Sequence, residues 1–414
     1  MERLIVYNIG TLATPIGSGP KGGAAMKAIK ILNDAYLVIE NGKFTEAGSG
    51  AGYKKYQGKK IDAQGRLVTP GLIDAHNHLI FAGSREHEFR KRLEGASYLD
   101  ILAAGGGILE TVEKTRAAGF DMLYDEAAET LEKMLLLGIS VIEAKSGYGL
   151  DQDTELKQLK VIKQLKKNCP QHIIATYLGA HAIPSEYKQN RKGYIDIIKE
   201  TMEVIKRESL AEFCDVFCEE GVFSYEESKE ILVRAKELGF KIRIHADEMT
   251  NSGGARLAAE LDCSFADHLL ASVSEDFTAM AESDVVLVAL PLTSFVLDKP
   301  FARIREMIAC NGALALATDY NPGSCPSYNL HLVMQTAVIK TGMTPAEVLT
   351  AVTLNPAYGL GLVESKGSIE TGKDADFIIF NCSNLDYFFY RLGENLVRDV
   401  YIRGINVVNN GRIV

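Results

Sequence analysis

Apolar and polar positions change texture twice along the chain. Over residues 1–66, short apolar runs are broken by glycine-rich turns, with runs at 4–7, 35–40 and 43–47. Residues 364–414 look similar, with runs at 376–380 and 397–403. Runs of this length between turn residues predict strands. Asn41-Gly42 and Asn410-Gly411 predict tight turns between them, and Asn-Gly between apolar runs is a strong hairpin signal.

The middle of the chain alternates instead. Eight apolar runs rich in β-branched residues fall at 66–74, 139–144, 172–178, 211–218, 241–244, 263–266, 284–290 and 312–317. Helical patterns separate them, the clearest at 121–137, 153–167, 194–207 and 225–238. Strand–helix repetition predicts an α/β fold with a parallel sheet and right-handed crossovers. Eight repeats within 67–363 predict a (β/α)8, TIM-like barrel. The flanking pieces, 1–66 and 364–414, are expected to meet as one small β-sandwich domain built from both termini.

Such barrels carry their chemistry at the C-terminal ends of the strands. The residues that follow the runs are therefore informative. The first run ends in Asp74-Ala75-His76-Asn77-His78, the second in Glu143-Ala144-Lys145-Ser146-Gly147-Tyr148, and the third in Gly179-Ala180-His181. Glu219-Glu220 follows the fourth, His245-Ala246-Asp247-Glu248 the fifth, Asp267-His268 the sixth, and Thr318-Asp319 the eighth. The chain has eight histidines, and five of them (His76, His78, His181, His245, His268) lie at or just beyond these ends.

His76 and His78 are two residues apart, a spacing that puts both imidazoles on one side of an extended segment. With His245 and Asp319 at other strand ends they make a candidate metal set. Three imidazoles and one carboxylate suit zinc, with iron or manganese as alternatives. Zinc lowers the pKa of bound water to about 7, so the implied chemistry is hydrolytic. Glu248 is a candidate proton shuttle with Asp247 as its competitor, and His268 can stabilise an oxyanion. Arg85 offers a guanidinium to a carboxylate. Tyr148 offers a hydroxyl, and the segment Asn321, Pro322, Gly323, Ser324 offers backbone N–H groups. His87, His172 and His331 read as structural or solvated. Lys145 reads as a solvated or hydrogen-bonding lysine rather than a carbamylated bridge between two metals.

Composition trims the options. The formal charge is −9, from 45 Lys+Arg against 54 Asp+Glu, with no basic run, so a nucleic-acid partner is not expected. No apolar stretch approaches the ~18 residues of a membrane helix. Seven scattered cysteines fit a reduced, cytoplasmic protein. Gly17 to Gly22 matches G-x-G-x-x-G, but with Pro20 inside it and no strand–turn–helix around it. The stretch from Gly367 to Asp374 resembles a phosphate loop but places Asp374 where Ser or Thr belongs.

The segment from Pro70 to His78, the histidines after the fifth and sixth runs, Asp319, and the stretch from Gly367 to Asp376 resemble the amidohydrolase superfamily. More narrowly, the chain is similar to the imidazolonepropionase family of histidine degradation. The narrower marks are the segments 81–85, 97–102 with 105–108, 143–150, 179–184, 245–248 and 318–324. The resemblance implies hydrolysis of 4-imidazolone-5-propanoate to N-formimidoyl-L-glutamate by a homodimer. It implies one zinc or iron ion on His76, His78, His245 and Asp319, with hydroxide on that ion attacking the ring carbonyl. It implies substrate contacts at Arg85, Tyr148, His181, Glu248, Asn321, Gly323 and Ser324. On this reading Asp319 and Glu248 manage the water proton, and Glu248 or His268 protonates the departing nitrogen. His181 and Tyr148 hold the ring, and Arg85 pairs with the propionate. Another cyclic amidohydrolase or a deaminase of the same superfamily is the alternative. A barrel that has lost its chemistry is a remoter one, since all four candidate ligands are present.

Overall fold

The computed structural model describes residues 3–95 and 106–414. The motif at 97–102 and Gly105 lie outside the described residues. The first four strands are β1 (Leu4–Pro15), β2 (Ile29–Glu40), β3 (Lys43–Ser49) and β4 (Lys59–Pro70). Eight short ones follow: β5 (Leu72–Asp74), β6 (Ile139–Lys145), β7 (His172–Ala180), β8 (Phe213–Cys218), β9 (Lys241–Ala246), β10 (Phe265–His268), β11 (Val286–Ala289) and β12 (Ala313–Leu316). The last four are β13 (Phe377–Phe380), β14 (Val397–Ile402), β15 (Ile405–Asn409) and β16 (Arg412–Ile413).

The terminal strands form one sheet in the order β16-β15-β14-β13-β4-β1-β2-β3. Its seam is the antiparallel pairing of β13 with β4, Phe377 opposite Pro70, so the two ends of the chain meet through hydrogen bonds. The pairing runs unbroken through eight strands, which refines the two-layer arrangement expected. The β2–β3 hairpin turns on Asn41 and Gly42, with φ of 54° and 75°, as its two-residue turn requires.

The run at 66–74 divides between the two sheets. Its first part completes β4, and the chain leaves the terminal sheet at Pro70-Gly71, where proline ends the ladder. Only Leu72–Asp74 enters the barrel. From there β5 to β12 lie side by side in chain order, every pair parallel. Helices cross between them, among them Phe120–Leu135, Gln152–Asn168, Arg191–Glu208 and Tyr225–Glu237.

The circle closes just beyond the strand ends. Asp319 donates its N–H to the carbonyl of His76 (2.9 Å), and His78 donates to Tyr320 (2.9 Å). Below them, Thr318 gives its N–H and hydroxyl to Asp74, at 3.0 and 2.6 Å. Burial pushes the Asp74 carboxyl up to about 6 despite those bonds. This closure sets residue 319 against residues 76–78.

Alternation sorts the barrel interior into levels. Val141, Phe213 and Phe265 belong to an apolar cluster filling the barrel. Two residues further along the same strands come Glu143, Asp215 and Asp267, all fully buried. Charge therefore replaces hydrocarbon on approaching the C-terminal mouth.

Candidate active site

Donor atoms of His76, His78 and Asp319 meet at that mouth, with His245 beside His78. Nε2 of His76 and Nε2 of His78 each lie 3.5 Å from Asp319 Oδ1. Nε2 of His245 lies 3.5 Å from Nε2 of His78. A tetrahedral zinc centre with bonds of ~2.0–2.1 Å has donors roughly 3.3–3.4 Å apart, and these three separations match it. The electrostatics fit it too. Burial pushes the His78 and His245 imidazoles down to about 3, leaving them in the neutral form that ligates. Two neutral rings facing each other through nitrogen can offer their lone pairs to one cation. Nε2 of His76 is buried with no hydrogen-bond partner.

Asp319 has a left-handed backbone, φ 53°, a costly state for a non-glycine residue. Thr293 donates to its Oδ2 at 2.7 Å, leaving Oδ1 toward the histidines. Burial pushes its carboxyl up, but the facing imidazoles of His76 and His78 hold it well below the usual range.

The remaining histidines form a rim. His181 stacks on His78 with ring centres 4.9 Å apart and lies 5.3 Å from the Tyr148 ring. His268 lies 5.2 Å from His245 and 5.6 Å from His76. Asp267 faces the interior, so a regular strand would turn His268 away. A left-handed backbone at His268, φ 74°, ends the strand and accompanies the ring's place over the mouth. One of its nitrogens falls within 4.8 Å of donors on His76 and His245.

Asp247 and Glu248 are separated by their surroundings. Asp247 accepts from Ser252, Gly254 and Ala255 N–H and from the Ser272 hydroxyl. Its carboxylate is consumed in capping the next helix. Glu248 has its Oε1 3.7 Å from His268 Nδ1 and keeps 22% of its side chain exposed. Surrounding protein pushes its carboxyl up, with the nearby Asp319 charge adding to the effect. Glu219, buried just beyond β8, holds the loop after β9 by accepting from Met249 and Thr250 N–H.

Arg85 lies across from Gly323. A Cβ built on Gly323 would fall 2.3 Å from Arg85 Nη1, so the guanidinium sits in space that the glycine leaves open. Glu88 pairs with Nη2 at 2.7 Å, while Nε is buried without a partner. Asn321 accepts from Gly323 and Ser324 N–H and donates to the Asp319 carbonyl. Its polar atoms are spent on the turn. We expect Gly323→Ala to displace Arg85 and raise KM as removal of the guanidinium would, with the fold intact by circular dichroism. A KM equal to that of the parent would show that Arg85 tolerates the methyl group.

The sequence matches the Amidohydrolase family over residues 67–414. It is 47% identical over 400 residues to an imidazolonepropionase of Streptococcus pyogenes serotype M12 (strain MGAS2096), covering 95% of each chain. The chain belongs to the imidazolonepropionase family of amidohydrolases. A serotype M3 relative (strain SSI-1) is 46% identical at the same coverage. Among solved structures, an adenosine deaminase from Xanthomonas campestris with bound zinc superposes with a TM-score of 0.72 at 19% identity, covering 99% of this chain and 94% of that one. Atrazine chlorohydrolase from Arthrobacter aurescens TC1, complexed with zinc, gives 0.76 at 15% identity, covering 99% and 96%. At those identities the likeness speaks to the fold. Membership of the family implies that this amidohydrolase binds a metal ion.

Other parts of this amidohydrolase's site escaped sequence reasoning. Lys145 is fully buried, 2.9 Å from both Glu143 and Asp215, which corrects the solvated reading while keeping the hydrogen-bonding one. Glu88, Asp215, Arg243 and Asp267 drew no role from sequence, yet each touches a candidate site residue. Period two offered the signal for one of them, since Arg243 stands two before His245 on β9. His331 is buried and bonded to the Leu137 carbonyl at 2.8 Å, as a structural histidine should be. His87 pairs with Glu110 at 3.0 Å near the surface.

Proposed function

We propose that this amidohydrolase adds water across the ring amide of 4-imidazolone-5-propanoate, releasing N-formimidoyl-L-glutamate in histidine degradation. The C–N bond breaks, the carbon gains the hydroxyl and the nitrogen gains a proton. The observation that carries the reading is the meeting of His76, His78 and Asp319, with His245 beside them, in a chain 47% identical to an imidazolonepropionase along 95% of its length.

His76, His78, His245 and Asp319 would hold one zinc or iron ion. When bound, such an ion polarises a carbonyl and lowers the pKa of water toward 7. Glu248 is the proton acceptor, because its carboxylate is open toward the mouth while Thr293 already occupies Asp319 Oδ2. His268, beside Glu248, is placed to share the return of that proton to the leaving nitrogen.

His181 has a fixed role by tautomer. Its Nδ1 lies 2.9 Å from the Gly147 carbonyl, which can only accept, so Nδ1 carries the hydrogen. Burial pushes the ring down to about 3, so it is neutral and presents Nε2 as an acceptor. It can therefore take a ring N–H of substrate. Tyr148, whose hydroxyl burial keeps protonated, supplies the donor for an oxygen. Arg85 takes the propionate, Ser324 lines the same end, and Asn321 acts by shaping the turn.

Arg85→Met should lower kcat/KM roughly ten- to 150-fold, the worth of a charged hydrogen bond of ~1.5–3 kcal/mol. Unchanged kinetics on the propionate substrate would remove Arg85 from the site. The reading also carries a cytoplasmic homodimer. Seven free cysteines support a reducing compartment, and light scattering of the purified protein would give its mass in solution.

The direct test supplies imidazolonepropionate made fresh from urocanate. Loss of ring absorbance and formiminoglutamate by mass spectrometry, both abolished by chelator, are expected. Metal-replete protein that makes no product would sink the substrate assignment. Ammonia release from a nucleobase instead would point to a deaminase.

A further inference from the structure

Five charged side chains lie beneath the donor cluster with no solvent exposure at all: Glu143, Lys145, Asp215, Arg243 and Asp267. Burying so many charges is costly, and replacing buried ion pairs by hydrocarbon is often neutral or stabilising. None of the five belongs to the mechanism above. Their contacts show what they are for. Asp267 Oδ1 lies 3.2 Å from His76 Nδ1, and Asp215 Oδ2 lies 3.1 Å from His245 Nδ1. Glu143 Oε2 accepts the N–H of Asn77, between the paired histidines, at 3.3 Å. Asp267 and Asp215 thus each reach the side of a candidate ligand that faces away from the donor cluster, and Glu143 holds the backbone between the paired histidines.

Arg243 joins them. It bonds Asp267 through Nη2 and Nε at 2.7 and 3.1 Å and donates Nη1 to the Ala75 carbonyl at 2.8 Å. The same Nη1 lies 3.4 Å from Glu143, and Nε lies 3.7 Å from Asp215. Below, the guanidinium sits 4.6 Å from the Phe265 ring centre, on the apolar filling of the barrel. Asp215, Asp267 and His245 are themselves spaced to hold an ion. Arg243 and Lys145 already meet those carboxylates, however, so cations of the chain fill that space.

We infer that Arg243, with Asp267 and Asp215, is a positioning layer for the metal. It meets His76 and His245 at Nδ1, leaving Nε2 of each toward the donor cluster, and with Glu143 and Lys145 the three carboxylates against two cations leave one negative charge beneath the site. A carboxylate behind a ligating imidazole sets its tautomer and raises its basicity, and loss of such a partner typically costs about 10–100-fold in metal affinity. The inference rests on reading His76 and His245 as metal ligands.

The test separates position from stability. Zinc affinity is measured by competition with a chromogenic chelator, alongside the Tm of each metal-free protein. The double variant Arg243→Met with Asp267→Leu removes a charge pair together. It is expected to keep a Tm close to the parent's and lose roughly 10–100-fold in zinc affinity. Asp215→Asn should weaken zinc to a similar degree through His245. If the double variant does not fold, Asp267→Asn carries the test, since the amide keeps the shape and an acceptor but not the charge. Folded variants that bind zinc within about twofold of the parent would overturn the inference and leave the metal reading standing. A parent protein that binds no zinc would overturn both.

Discussion

Asp319→Ala is expected to empty the metal site and take hydrolysis down by more than about 10³-fold, because water then keeps its ordinary pKa. Asp319 is the one anionic donor in the set of four, and its Oδ1 is the atom that both His76 and His78 approach at 3.5 Å. Without it, three neutral imidazoles would face a dication. The loss of affinity should exceed the 10–100-fold typical of an outer partner. Metal content after gel filtration, measured by plasma emission, gives the answer beside a thermal melt. The backbone bond from Asp319 to His76 that closes the barrel does not depend on the side chain, so the fold should persist. Stoichiometric metal with near-parental turnover would remove Asp319 from the ligand set.

Glu248→Gln is expected to act in the opposite way, keeping the metal and losing the rate. The amide is almost isosteric but cannot take a proton, and general acid–base groups contribute about 10²–10⁴-fold. The fall should appear in kcat with KM changed little. Asp247→Asn, one residue earlier, makes the contrast. Asp247 accepts four hydrogen bonds at the start of the next helix, so its loss should lower Tm more than kcat. If Asp247→Asn abolishes turnover in a fully folded, metal-loaded protein while Glu248→Gln does not, the two roles are exchanged.

The neighbours Asp247 and Glu248 illustrate where sequence reading stops. Both carboxylates follow β9, and spacing alone did not choose between them. The choice lies in Gly254, Ala255 and Ser272, which reach Asp247 only after the next helix has packed. Lys145 makes the same point. An amine after a strand reads as solvated until Asp215, seventy positions away, is seen to face it across the barrel. Asn321, expected at the substrate, has its side-chain polar atoms bonded within its own turn.

Local rules were sufficient for much else. Apolar runs rich in β-branched residues, separated by helical patterns, pointed to the barrel, because each strand and helix is specified by residues within one or two turns of itself. Histidines concentrated at the strand ends gave the candidate ligands, because that fold exposes chemistry there and nowhere else in the barrel. What tertiary structure alone decided are the relations between strands: the closure that brings Asp319 to His76 and His78, the tautomer of His181 set by Gly147, and the buried charges under the site. Those depend on which side chains meet across the barrel axis, and a linear pattern does not encode distance through space.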